Sequence, residues 1–343
     1  MGFAARIRPW RWPSGPARVT VIHPLPLPNL RPTMATVVTT FALPDPAREI
    51  AAAAGDVRGP ERWREALGEA DALLCLLTDR IDADLLAAAP RLRIVANAVV
   101  GVDHVDLAAC RERGVVVTNT PDVLTEATAD LTWALLMATL RRLPAAERNL
   151  RAGDFSGWGF HDYLGSDLGG RTLGILGMGR IGRAVARRAA PFGMRVLYHN
   201  RSRLDRETER SLEAEYVEWH ELLARSDVLS LHAPLTVETR HLVDEVALGR
   251  MRPGSFLINT GRGPLVDEAA LVQALEEGHL AGAGLDVYEH EPEVHPGLLD
   301  RDDVVLLPHI GSATRETRAE MAALAARNVR EVLAGRPPLT PVG

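Results

Sequence analysis

The chain has 343 residues and a formal net charge of −6. That length accommodates two domains, and the acidic balance excludes a protein whose overall field gathers nucleic acid. Hydrophobic content of 46% is ordinary for a globular protein, and no apolar run approaches the roughly 18 residues of a membrane span.

Residues 1–33 hold seven prolines, several arginines and no acidic residue. They read as an unfolded extension, with Met34 as the natural start. Pro24, Pro26 and Pro28 break the apolar core that a signal peptide needs; the Arg-rich, acid-poor composition leaves a transit peptide open, although the prolines argue against its amphipathic helix.

From residue 34 to 121 strand and helix patterns alternate. Strands are expected at Thr36–Thr40, Ala72–Leu77, Ile94–Ala98 and Val115–Thr118, and helices at Pro46–Ala54, Ala83–Ala88 and Leu107–Arg113. This alternation predicts a parallel sheet covered by helices. Val99-Val100-Gly101-Val102-Asp103 follows a strand directly, and such a turn either exposes N–H groups to a carboxylate or is a plain connection. Cys75 falls in an apolar run and Cys110 on a helix. Both read as buried free thiols of a reducing, cytoplasmic protein.

Thr125–Leu143 predicts one long apolar helix, a hinge between domains. Ala152–Gly170 is rich in glycine and aromatics (Phe155, Trp158, Phe160, Tyr163). Such residues mark interfaces, so a homodimer is expected.

Thr172–Arg203 reads as strand, glycine turn, helix and strand. Gly177, Gly179 and Gly182 form G-x-G-x-x-G after the Leu173–Leu176 strand and open a helix over Arg180–Phe192, which Gly193 stops before the strand Arg195–His199. That context makes the motif a dinucleotide site. The glycines allow a tight turn, close approach of a pyrophosphate and close helix packing, and the helix N-terminus faces the phosphate. An NAD site carries an acid about 20 residues further on, bonding the ribose 2′-hydroxyl. Here His199 and Asn200 stand there, followed by Arg201, Ser202 and Arg203. Arginine binds phosphate in a two-pronged fork, although all 39 basic residues of this chain are arginine and chance alone makes them frequent. NADP(H) is therefore favoured and NAD(H) remains open.

Further strands are expected at Asp227–Leu231, Ser255–Asn259, Ala283–Val287 and Val304–Leu307, giving a second parallel sheet of six. Ligands of such sheets bind beyond the carboxyl ends of the strands. The residues there include His232, then Thr260-Gly261-Arg262, then Glu289-His290-Glu291, then His309-Ile310-Gly311. Hydride transfer to a carbonyl needs a fork-shaped cation, for which Arg262 is suited. It needs a proton donor titrating near neutrality, for which His309 is suited. It also needs a carboxylate to orient the imidazole and favour its charged form, for which Glu291 is suited. Glu289, Glu293, His232 and His290 are rivals that sequence does not separate. No metal ligand set is expected.

The segments VVGVDHVD at 99–106, LGILGMGRIGRAVARR at 173–188, LHAPLT at 231–236, INTGRGPLVDE at 258–268, GLDVYEHEP at 284–292 and LLPHIGSAT at 306–314 resemble the D-isomer-specific 2-hydroxyacid dehydrogenases, nearest the glyoxylate and hydroxypyruvate reductases. The resemblance spans about 34–338. It implies an α/β chain of two Rossmann-like or flavodoxin-like domains. The nucleotide domain (122–311) is inserted into a substrate domain (34–121 plus 312–338). It implies that Arg262, Glu291 and His309 are catalytic, choosing the Glu that precedes Pro292, and that Val100 and Gly101 with Arg262 hold the substrate carboxylate. Cofactor contacts would come from Gly177, Gly179, Arg180, Ile181, Gly182, Arg201, Ser202, Arg203, Thr260, Gly261, Arg262, His309, Ile310 and Gly311. It further implies a homodimer whose cleft closes on binding; with the sequence ending at Gly343, the extra regulatory domain seen in many phosphoglycerate dehydrogenases is not expected. The expected reaction is reduction of glyoxylate or hydroxypyruvate to glycolate or D-glycerate. The alternatives are another 2-oxo acid, or a nicotinamide-sensing corepressor.

Overall fold

The computed structural model describes residues 34–342; the extension expected at 1–33 lies outside them. The chain builds two sheets, each wholly parallel. The first contains Thr36–Thr39 (β1), Asp56–Arg58 (β2), Ala72–Cys75 (β3), Ile94–Asn97 (β4) and Val116–Thr118 (β5), in the order β2-β1-β3-β4-β5. Helices Ala47–Ala54 (α1), Ala83–Ala88 (α2) and Leu107–Glu112 (α3) connect them. This is the flavodoxin-like order, with its reversal between β1 and β3.

Helices Thr125–Leu140 (α4) and Leu143–Ala152 (α5) lead to the second sheet. Its strands are Thr172–Leu176 (β6), Arg195–His199 (β7), Ala214–Tyr216 (β8), Val228–Leu231 (β9), Ser255–Asn259 (β10), Leu280–Leu285 (β11) and Val304–Leu306 (β12). They lie in the order β12-β11-β10-β9-β6-β7-β8. Between them run Arg180–Arg187 (α6), Arg206–Ser211 (α7), Trp219–Arg225 (α8), Glu245–Arg250 (α9), Glu268–Glu276 (α10) and Pro296–Leu299 (α11). The order reverses between β6 and β9, which is where a doubly wound sheet opens its ligand crevice. β6, an interior strand at that reversal, is buried throughout. Covering each Leu or Ile side chain contributes about 1.5–3 kcal/mol.

The last helix, Arg315–Leu333 (α12), returns to the first sheet. Its Ala322, Ala323, Ala325, Ala326 and Val329 pack with Ala47 and Ala51 of α1 and with Val37, Leu74 and Ile94. These small residues let α12 lie close against α1 and the sheet. Arg93 donates to the Val332 carbonyl at 2.8 Å and Val342 N–H to the Val117 carbonyl at 2.9 Å, tying the end of the chain to β4 and β5.

Several sequence expectations need correction. The second sheet has seven strands rather than six, because Ala214–Tyr216 forms an edge strand on β7. Asp56–Arg58 likewise edges the first sheet. Both are three residues long and carry charge, so neither shows an apolar run. The helix expected over Thr125–Leu143 ends at Leu140, and a left-handed Arg142 (φ 54°) separates it from α5. The helix expected over Arg180–Phe192 stops at Arg187 and resumes as a 3₁₀ turn, Ala190–Phe192, around Pro191, which has no N–H to donate.

Candidate active site

The glycine turn sits at the switch point. Gly177 takes φ +92°, and a Cβ there would stand 2.5 Å from the Ala233 nitrogen, so a side chain is excluded twice over. A Cβ on Gly182 would meet the Gly177 carbonyl oxygen at 2.2 Å, which is why α6 starts so close to the strand. A Cβ on Gly179 would meet nothing within 4 Å, so the backbone that opens α6 borders open space. Arg180 pairs with Asp122, and Ile181 packs on the core beneath. Free first-turn N–H groups beside open space fit a pyrophosphate.

At the end of β7, Asn200 turns inward and its Oδ1 accepts the Met178 N–H at 2.9 Å, bracing the glycine turn. Arg201 and Ser202 are exposed, and Arg201 makes no ion pair among the described residues. Arg203 differs. Its Nε and Nη2 donate to both oxygens of Glu209 at 2.7 and 2.8 Å, and its guanidinium lies 5.6 Å from the Tyr216 ring centroid. Arg203 and the Tyr198 hydroxyl push the Glu209 carboxyl down to about 2. The two arginines that sequence treats alike are thus in different states.

The Arg262 loop follows β10. Asn259 braces it, its amide donating to the Arg262 carbonyl at 2.9 Å and its Oδ1 accepting the Gly261 N–H at 3.0 Å. Thr260 bonds Thr132 of α4 at 2.9 Å. From Arg262, Nη1 donates to the Gly261 carbonyl at 2.8 Å and Nε to Asp103 Oδ1 at 3.0 Å. A Cβ on Gly101 would fall 1.6 Å from Nη2, so the guanidinium lies against the Gly101 backbone. The Arg262 loop and the Val100–Gly101 loop therefore meet, although they extend from different sheets. Burial pushes the Asp103 carboxyl up, but the charge and hydrogen bond of Arg262 outweigh it and hold it below the ordinary range.

His309 and Glu291 come together from the loops after β12 and β11. His309 Nδ1 lies 2.9 Å from Glu291 Oε2 and 3.2 Å from Oε1. An ionised carboxylate only accepts, so Nδ1 carries the hydrogen, and Nε2 has no partner among the described residues. The Tyr288 N–H donates to Glu291 Oε1 at 3.1 Å, and the Tyr288 hydroxyl donates to the Leu307 carbonyl at 2.8 Å, joining the two loops. Burial raises the Glu291 carboxyl, but the bond and charge of His309 reverse this and the net shift is downward, with a smaller downward pull from Arg262.

The rivals are placed elsewhere. Glu289 accepts from His241 at 2.6 Å and lies away from His309 in its bonding. His290 is exposed. His232 bonds Ser230 at 2.9 Å, and burial pushes its ring down to about 4, which leaves it neutral near pH 7 and unsuited to proton donation.

Two acids were not singled out by the sequence. Asp103 lies inside the 99–106 segment, but its partner is 159 residues away and no local spacing could reveal it. Asp286 is buried at the end of β11 and accepts the N–H groups of Ile310 and Gly311 at 2.7 and 2.8 Å. Burial outweighs those bonds and raises its carboxyl. The available signal was an acid inside the apolar run Ala283–Val287; the strand itself ends at Leu285. Among the described residues no group of three or more His, Cys, Asp or Glu is arranged for a metal ion, and no helix is long and apolar enough to cross a membrane.

A family model described as D-isomer specific 2-hydroxyacid dehydrogenase, NAD binding domain, matches residues 133–311. The glyoxylate reductase of Aeropyrum pernix is 54% identical over 276 residues, covering 79% of this chain and 82% of that protein. A crystal structure of a Thermus thermophilus protein superposes with a TM-score of 0.84 at 45% identity, covering 90% of this chain and all of that one. An NADPH-dependent glyoxylate/hydroxypyruvate reductase of Sinorhizobium meliloti, solved with NADP and malonate, gives 0.81 at 37% identity, covering 90% and 97%.

Proposed function

The chain belongs to the D-isomer specific 2-hydroxyacid dehydrogenase family, and on that premise we propose that it reduces glyoxylate and hydroxypyruvate to glycolate and D-glycerate. What supports the reading is that Arg262 lies against the Gly101 backbone and bonds Asp103, that His309 bonds Glu291, and that the Arg262 charge is felt at the Glu291 carboxyl. The names of the relatives agree with it.

A nicotinamide cofactor supplies the hydride when bound. The open space beside Gly179 and the first turn of α6 would receive its pyrophosphate, with Gly177 and Gly182 shaping the turn. Arg180 and Ile181 offer first-turn N–H groups, and Thr260, Gly261, Ile310 and Gly311 border the other end. Arg262 grips the 2-oxo acid through Nη2, which has no hydrogen-bond partner among the described residues, while Val100 and Gly101 hold the carboxylate. Polarising the carbonyl lets charge develop on its oxygen. His309 then delivers a proton from Nε2 to that oxygen, with Glu291 fixing the ring through Nδ1–H.

NADP(H) is the preferred cofactor in this proposal. β7 ends without an acid, and Arg201 and Ser202 stand exposed beside Arg203. The substrate domain is taken as 34–121 plus 312–338 and the nucleotide domain as 122–311, supported by the return of α12 to the first sheet. A cytoplasmic homodimer completes the proposal. Its supports are the buried free thiols Cys75 and Cys110 and the exposed Phe155, Trp158 and Phe160. Reduction of glyoxylate by the purified chain, followed at the NADPH absorbance band, tests the whole.

A further inference from the structure

Three successive carbonyls of the loop after β4 are pinned inward. The Asn97 amide donates to the Gly101 carbonyl at 2.7 Å and to the Val99 carbonyl at 3.4 Å. The Asn119 amide donates to the Val100 carbonyl at 2.8 Å, and the Thr120 N–H to the Val99 carbonyl at 3.1 Å. In a trans peptide the N–H points opposite to the C=O. Holding the carbonyls of Val99, Val100 and Gly101 therefore turns the N–H groups of Val100, Gly101 and Val102 the other way. The Arg262 guanidinium lies against that same backbone. The result is a row of aligned donors next to a fixed positive charge, which suits an anion.

Asn97 is fully buried at the end of β4, and its Oδ1 has only the weak Cys75 thiol nearby, at 4.0 Å. It is therefore not a surface turn residue. Its side chain is committed to the loop's carbonyls, and an aliphatic residue of the same size would leave the Gly101 carbonyl unpaired and the Val99 carbonyl held by the Thr120 N–H alone. Asn119 is anchored in turn from the chain's end, its carbonyl accepting the Thr340 hydroxyl at 2.6 Å.

We propose that Asn97, seconded by Asn119, is a positioning residue that fixes the peptides of 99–101 so that their N–H groups receive the substrate carboxylate. It acts through the backbone and does not touch the substrate. The proposal rests on the 2-oxo acid reading above.

The test compares Asn97→Ala and Asn119→Ala with the parent protein, using saturating NADPH and varied glyoxylate. The expected result is a KM for glyoxylate raised about tenfold or more, consistent with loss of aligned hydrogen bonds to a charged group. kcat should change less than threefold, and the NADPH Kd, read from fluorescence, should stay unchanged. Hydrogen exchange of the amides of 100–102, without any ligand, should be faster in both variants. Oxalate should slow that exchange in the parent and do so less in the variants. Unchanged KM with unchanged exchange would overturn the proposal, as would a parallel loss of kcat, cofactor affinity and melting temperature. If Asn97→Ala does not fold, Asn119→Ala, at a half-buried site, decides. If the parent reduces no 2-oxo acid, the functional reading fails, and the exchange experiment with oxalate alone judges the role of Asn97.

Discussion

Arg262 and Asp103 are 159 residues apart in the chain, yet Nε of one donates to Oδ1 of the other at 3.0 Å. The bond orients the guanidinium so that Nη2 faces the Gly101 backbone. Asp103→Asn should keep the shape but weaken the grip, raising KM for glyoxylate several-fold with little effect on kcat. Arg262→Lys removes the fork and should lower kcat/KM by two orders of magnitude or more, about the scale of a lost charged contact aimed at the reacting carbonyl. Steady-state kinetics on both variants check this; an Arg262→Lys enzyme of parental efficiency would contradict it.

His309→Ala should lower kcat by about 10²–10⁴-fold, the usual contribution of a positioned general acid, while NADPH affinity stays nearly intact. Glu291→Gln should lose less, because an amide oxygen can still accept from Nδ1–H but carries no charge to stabilise the ring. Single-turnover rates beside fluorescence titrations of cofactor separate chemistry from binding.

The proposed preference for NADPH rests on Arg201. It has no ion pair among the described residues, whereas Arg203 is held by Glu209. Arg201→Ala should cost about ten- to a hundredfold in kcat/KM with NADPH and little with NADH, the equivalent of a charged hydrogen bond of roughly 1.5–3 kcal/mol. Glu209→Gln should loosen Arg203 and move the preference further toward NADPH. The ratio of kcat/KM for the two cofactors is the readout, and an unchanged ratio in Arg201→Ala would remove that residue from the 2′-phosphate site.

Glu291 and Asp103 both titrate below their ordinary range in the folded protein. A carboxyl lowered on folding contributes stability that is fully present above its unfolded pKa of about 4 and is lost as pH falls through the folded value. Urea midpoints should therefore hold from neutrality down to about pH 4 and fall below it, with a shallower fall in Glu291→Gln and Asp103→Asn. Asp286 has the opposite sign: its carboxyl is raised by burial, so protonation relieves a cost as pH drops. Activity should likewise persist into mildly acid solution on the Glu291 side, since that carboxylate stays charged there.

The segment Phe155–Leu164 exposes Phe155, Trp158, Phe160 and Leu164 together. If it covers itself against a second copy, Trp158→Ser with Phe160→Ser should convert a dimer into a monomer in sedimentation velocity. A parent protein that already sediments as a monomer would contradict this.

Much of the fold was legible because its strands are short buried apolar runs separated by helix patterns. Thr172–Leu176 and Arg195–His199 stand out this way, and the glycines between them carry their own steric reason. Asp56–Arg58 and Ala214–Tyr216 were not legible, since edge strands are fixed by their neighbours rather than by composition. Leu143–Ala152 was missed because its polar run, Glu147-Arg148-Asn149, blends into the adjoining loop. Types and edge positions of Arg262, Glu291 and His309 could be read from the strand ends. Their distances could not, and neither could the pairing of Arg203 with Glu209, which divides two neighbouring arginines into different states.

The most direct measurement is the loss of NADPH and NADH absorbance by the purified chain with glyoxylate and then hydroxypyruvate. The account predicts turnover of both acids, faster with NADPH. Turnover with NADH favoured would keep the reaction and discard the Arg201 argument. No turnover of either acid, with cofactor bound, would contradict the central claim.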